Sequence, residues 1–122
     1  MHECGRTLTP DVIFTHTMSD AHQDHRTLAE LTWNVFRNHW ILEYEIPKYD
    51  GDLKQPNVFI PLSEALLEQK IAALMTAFAS QHERGWFTAD TFRAIARLRG
   101  IECQSTSGFA EAFHGRKTVL EV

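Results

Sequence analysis

The feature that most constrains the fold is a short apolar run, Val12-Ile13-Phe14-Thr15, opened by Pro10-Asp11 and closed by the polar stretch His16-Thr17-Met18-Ser19-Asp20. β-branched and aromatic residues bounded by turn formers predict a buried strand of the kind found in parallel sheets. From about Gln23 the pattern changes to helical. Leu28, Leu31 and Val35 recur at i, i+3 and i+7 with Trp33 and Phe36 beside them, and the helix is expected to end near Asn38-His39. Strand, loop and long helix make a βα unit. In open α/β sheets, ligands gather at the carboxyl ends of strands, where such a loop lies.

The rest of the chain supports the same class. Trp40 to Ile46 reads as a second strand, Pro47 to Asp52 as a turn, and Val58-Phe59-Ile60-Pro61 as a short extended piece. Ser63 is placed to cap a helix over about 64–79, whose stripe Leu67, Ile71, Leu74, Phe78 predicts a core face. Thr88 caps a third helix, about 89–99, with Gly100 expected at C′. A last strand is expected at Thr118-Val119-Leu120. The fold class is therefore α/β. A parallel sheet needs several crossover units, and this chain supplies two to four strands, so it reads as a single partial domain over 1–122, the back portion of a larger one.

Composition narrows the function. The chain has 122 residues, 12 Lys plus Arg and 16 Asp plus Glu, a formal charge of −4. That excludes a general nucleic-acid binder, which needs a basic excess. No apolar run approaches the ~20 residues of a membrane span. Two cysteines, Cys4 and Cys103, with no CxxC pair, make a reducing cytoplasm the default location. Composition by itself leaves the identity of the partner open. If part of the domain is missing, an uncovered apolar face would drive assembly into a homo-oligomer.

The densest polar cluster is Asp20-Ala21-His22-Gln23-Asp24-His25, just after the first strand and entering the helix. Residues i and i+3 at a helix start share a face, so the imidazoles of His22 and His25 can converge on one ligand. Asp20 or Asp24 can accept from a ring N–H, fixing the tautomer and raising the basicity of the other nitrogen. Imidazole with carboxylate suits Zn²⁺ among other metals. The ordinary alternative is a solvated, Asp-capped helix start.

Several other residues carry two readings. His16, at the strand end, either contacts backbone in the loop or borders substrate; with His2 and Cys4 it is also an outlying ligand candidate. Tyr49, in the loop Lys48-Tyr49-Asp50-Gly51-Asp52, is suited to sugar hydroxyls or is simply a loop residue. Glu111, in Phe109-Ala110-Glu111-Ala112-Phe113, needs a partner if buried, with Arg93 or Arg97 as candidates, or else serves a pocket. Trp33, Trp40 and Trp86 read as packing residues, and His39, His82 and His114 as surface or helix-end residues.

The stretch from Pro10 to His16, then Asp20 and His22-Gln23-Asp24-His25-Arg26, resembles the second signature of the LmbE-like family, also called the PIG-L or N-acetylglucosaminyl-phosphatidylinositol de-N-acetylase family. Ile41 to Pro47, the Lys70-bearing helix with Phe78-Ala79-Ser80-Gln81, and Gly108 to Phe113 resemble its carboxyl-terminal half. The resemblance implies a Rossmann-like zinc hydrolase that removes an acetyl group from an amide nitrogen, usually on an amino sugar. It implies His25 as a zinc ligand, His22 as the group that steadies the oxyanion or protonates the leaving amine, and Asp24 as the residue that orients His22. The family's first signature, an Ala-His-Pro-Asp-Asp block with two more ligands and the general base, has no counterpart in this sequence. The expectation is thus a truncated de-N-acetylase, inactive alone. The alternative is a non-catalytic α/β binding module that lacks the metal site.

Overall fold

A computed structural model describes residues 8–122; His2 and Cys4 lie outside the described residues. The elements are β1 (Val12–His16), α1 (Gln23–Val35), β2 (Trp40–Tyr44), β3 (Val58–Pro61), α2 (Glu64–Ala77), a 3₁₀ turn (Ala79–Gln81), α3 (Ala89–Glu102) and β4 (Ala110–Gly115). Among the described residues the strands form one sheet of four, in the order β1-β2-β4-β3. β1 and β2 run parallel, with Val12 opposite Trp40 and His16 opposite Tyr44. β4 is antiparallel to β2, with Tyr44 opposite Phe113. The fold is α/β as expected, but its sheet is mixed rather than mostly parallel.

The chain divides into two compact units. Of the described residues, the first holds 8–45, 54–58 and 113–122, and the second holds 46–53 and 59–112.

In the first unit α1 lies against β1. Its buried face is Ala29, Thr32 and Phe36, whereas Leu28 and Leu31 are 39% and 43% exposed. The i, i+3, i+7 spacing is the one the sequence shows, moved by one residue. Small side chains let the helix approach the strand. The Thr32 hydroxyl donates to the Leu28 carbonyl at 2.8 Å, so the buried Thr15 hydroxyl donates to it across 3.1 Å. That polar seam selects the face over the leucines. The helix ends at Val35, with Phe36 as C-cap, before the expected Asn38.

In the second unit Ser63 caps α2 by accepting from the Leu66 N–H, and Thr88 caps α3 by accepting from the Thr91 N–H. The core is Leu67, Ile71, Phe87, Phe92 and Ala96. Phe78, expected in the core stripe, is 51% exposed because it follows the last residue of α2, where the helical period no longer sets its direction. Gly100 lies inside α3 rather than at its C′ position; the cap is Cys103. The last strand is Ala110–Gly115, and Thr118-Val119-Leu120 forms none.

Leu67 is 1% exposed and Leu66, one residue earlier, is 53% exposed. Leu67→Ala is expected to cost about 3 kcal/mol by lost transfer energy and cavity formation. Leu66→Ala should cost about 0.5 kcal/mol or less. Denaturant midpoints measure both, and equal losses would contradict this placement of the core.

Candidate functional site

The loop leaving β1 is built around Asp20, which is 5% exposed. Its N–H reaches the Thr17 carbonyl at 3.3 Å, closing a turn. Its Oδ1 accepts from the His22 backbone N–H at 2.8 Å, and its Oδ2 bonds His25 Nδ1 at 3.0 Å. Arg26 holds the same loop from the helix side, donating to the Asp20 and Ala21 carbonyls at 2.7 and 2.6 Å. A polar loop with two histidines and two aspartates thus satisfies its backbone through its own side chains.

His22 is the N-cap of α1. Its ring Nδ1 accepts from the Asp24 backbone N–H at 3.2 Å. That bond requires a lone pair on Nδ1, so the neutral ring carries its proton on Nε2 and presents a donor. Asp24 meets His22 through its amide, while its carboxylate is exposed. His25 has the opposite arrangement. An ionised Asp20 only accepts, so Nδ1 carries the His25 proton in this bond and Nε2 keeps its lone pair. The two rings, 4.6 Å apart between centroids, therefore offer different chemistry.

His16 completes the cluster from the end of β1. Its ring stacks on His25 with centroids 3.9 Å apart and planes within 5°. Tyr44, opposite His16 in the sheet register, meets it edge-on at 4.9 Å. Burial pushes the Tyr44 phenol above its usual range, and the nearby Asp20 carboxylate pushes it in the same direction. The phenol stays neutral and can donate.

His16, Asp20 and His25 bring ligand atoms within 4.8 Å of one another. This group could hold a metal ion: two imidazoles and a carboxylate form a donor set that divalent cations accept. The spacing offers His22 and His25 for one ligand and the resemblance implies His25; the group that forms takes His25 with Asp20 and His16 and leaves His22 outside it. The sequence placed His16 at the border. The 16, 20, 25 spacing follows no helical or strand period, because a turn, not an element, joins its members.

Tyr49 and Glu111 lie in the second unit. The Tyr49 hydroxyl accepts from the Gly85 N–H at 2.8 Å, tying two loops, and the ring is 72% exposed. Glu111 pairs with Lys70 at 2.5 Å rather than with either arginine. Arg93 pairs with Glu68, and Arg97 donates to the Gly108 carbonyl. Both arginines are on α3, whereas Lys70 on α2 is the cation within reach. His82 bonds the Met75 carbonyl through Nε2 at 2.7 Å, His39 meets the Phe36 ring edge-on at 5.4 Å, and His114 lies in β4. Among the tryptophans, Trp86 packs on the second unit's core, Trp40 is 44% exposed, and Trp33 bonds Glu43.

No protein-family model matches the chain, and no curated protein matches it. Among solved structures it is similar to GalB, the 4-carboxy-2-hydroxymuconate hydratase from Pseudomonas putida KT2440, with a TM-score of 0.74 at 14% identity. The match covers 99% of this chain and 58% of that one. At this identity the likeness is one of fold. No helix among the described residues is long and apolar enough to cross a membrane.

Proposed function

We propose that His16, Asp20 and His25 hold a zinc ion, and that the chain supplies part of the site of a zinc-dependent de-N-acetylase acting on an N-acetylated amino sugar or a similar amide, with the Rossmann-like architecture that the LmbE-like resemblance implies. The observation that carries this reading is the convergence of one ligand atom each from His16, Asp20 and His25 within 4.8 Å of one another. Zinc, when bound, lowers the pKa of a water toward neutrality and polarises a carbonyl. His22 then has a role of its own. Its Nε2–H is a donor for the oxygen of a tetrahedral intermediate or, once protonated, a proton source for the leaving amine. Tyr44 offers a second neutral donor.

The sequence has no His-Pro-Asp-Asp block, so the general base of the resembled family is absent from these residues. The 122-residue chain is accordingly proposed to bind zinc without releasing acetate on its own. Competition with a chromophoric chelator tests the zinc site, with a Kd at or below micromolar expected; failure of the chain to bind zinc overturns the reading. His22→Ala should leave that affinity within about threefold. In a protein that also carries the missing block, the same change should lower amide turnover by about 10²–10⁴-fold. A tenfold or greater loss of zinc in His22→Ala would mean that this ring is a ligand instead.

The similarity in fold to a hydratase favours a second reading, addition of water across a carbon–carbon double bond of a carboxylated substrate. It uses the same metal group. Offering acetylated amino sugars and an unsaturated hydroxy acid to the zinc-loaded complete site separates the two.

A further inference from the structure

Glu43, on β2 next to Tyr44, is 8% exposed. A carboxylate that is nearly buried must be answered by donors, and three segments of the first unit answer this one. Oε1 accepts from the Trp33 indole N–H of α1 at 2.6 Å. Oε2 accepts from the Met18 backbone N–H at 3.3 Å. Arg116, beyond β4, lies 3.8 Å from Oε1, with its guanidinium 4.0 Å above the Trp33 ring and in contact with the Met18 sulfur.

Two of these segments carry the metal group. Met18 belongs to the loop that leads to Asp20, and Trp33 is on the helix that carries His25. The bonds from the His22 N–H to Asp20 and from Arg26 to the Asp20 and Ala21 carbonyls order residues 20–26 among themselves. The bond from Met18 to Glu43 reaches a neighbouring strand. It fixes the loop to β2 next to Tyr44, the strand that holds His16 in register.

We propose that Glu43 is a positioning residue for the His16–Asp20–His25 group. It clamps the loop and α1 to β2 so that the ligand atoms of His16, Asp20 and His25 stay within reach of one another, and it touches neither metal nor substrate. This inference rests on the zinc reading above. Outer supports of metal ligands typically contribute 10–100-fold to affinity.

The test is zinc titration of the full chain and three variants, with folding followed by circular dichroism and with amide hydrogen exchange at Met18. Glu43→Ala is expected to weaken zinc about 10–100-fold and to speed exchange at Met18. Glu43→Gln keeps one acceptor oxygen and should recover most of the affinity. Glu102→Gln breaks an ion pair with Arg99 in the second unit and should leave zinc binding unchanged. Should Glu43→Ala fail to fold, Trp33→Phe, which removes one donor and keeps a ring, is expected to weaken zinc several-fold.

Equal affinity in the wild type and in Glu43→Ala (or in Trp33→Phe, where that variant replaces it) overturns the positioning role and leaves the zinc reading standing. An equal loss in Glu102→Gln also overturns it, because the effect would then be general destabilisation. Absence of zinc binding in the wild type overturns the metal reading itself, and this inference with it.

Discussion

His25→Ala is expected to abolish zinc binding by the chain, with a loss well beyond the 10–100-fold that an outer support costs. The substitution removes one of the two imidazoles whose ligand atoms converge with Asp20 within 4.8 Å. It also leaves the buried Asp20 Oδ2 without the ring N–H that it bonds at 3.0 Å. Both consequences act in the same direction. Zinc competition reads the first; a drop in thermal midpoint of the metal-free variant reads the second. The contrast with His22→Ala is the informative part. The two rings lie 4.6 Å apart on the same turn, yet His22 Nδ1 is used by the Asp24 N–H and its remaining nitrogen carries the proton. Metal loss should therefore follow position 25 and not position 22. Retention of wild-type affinity in His25→Ala would remove the basis of the proposed site.

Gly100→Ala should be the most damaging small substitution in the second unit. In an ordinary helix interior, glycine to alanine gains about 1 kcal/mol. Here a Cβ at position 100 would stand 2.2 Å from the Gly108 carbonyl oxygen, 2.4 Å from its carbon and 2.5 Å from the Phe109 nitrogen. These are backbone atoms in the turn that enters β4, and they cannot swing aside as a side chain could. The Ser105 N–H is bonded to the Gly100 carbonyl at 2.9 Å, which holds the two segments together. A net loss of about 3 kcal/mol is expected, read as a fall of roughly 10 °C in thermal midpoint. Gly51→Ala is the comparison. Nothing lies within 4 Å of its Cβ, but its φ of +61° makes alanine strained by about 1 kcal/mol. A neutral or stabilising Gly100→Ala would mean that α3 and the turn do not approach as described.

Local rules explain what was legible. The strand at Val12, the Ser63 and Thr88 caps and the three helices follow from propensity, period and capping chemistry that act within a few residues. The same holds for the His22 and His25 pair, three apart at a helix start. The misplacements occur where a distant partner decides. Leu28 and Leu31 have the correct period but the wrong phase, because a hydroxyl on β1, seventeen residues earlier, selects Thr32 as the inward position. Glu111 needed a cation, and only the fold brings Lys70 rather than Arg93 or Arg97 to it.

The residue chemistry of the loop after β1 was thus determined by sequence alone. Two imidazoles and two carboxylates in six residues at a helix start can do little besides cap, coordinate or transfer protons. Which of them share one point in space was decided by tertiary structure. His16 joins the group because β1 pairs with β2 and delivers its last residue beside α1. Strand direction was decided in the same way: β4 enters the sheet antiparallel because of the end at which the chain returns from α3, and no residue in Ala110–Gly115 encodes that end. Hydrogen-bond pairing between strands and the meeting of side chains from separate segments are properties of the folded whole, so the sequence named the candidates and the fold assembled them.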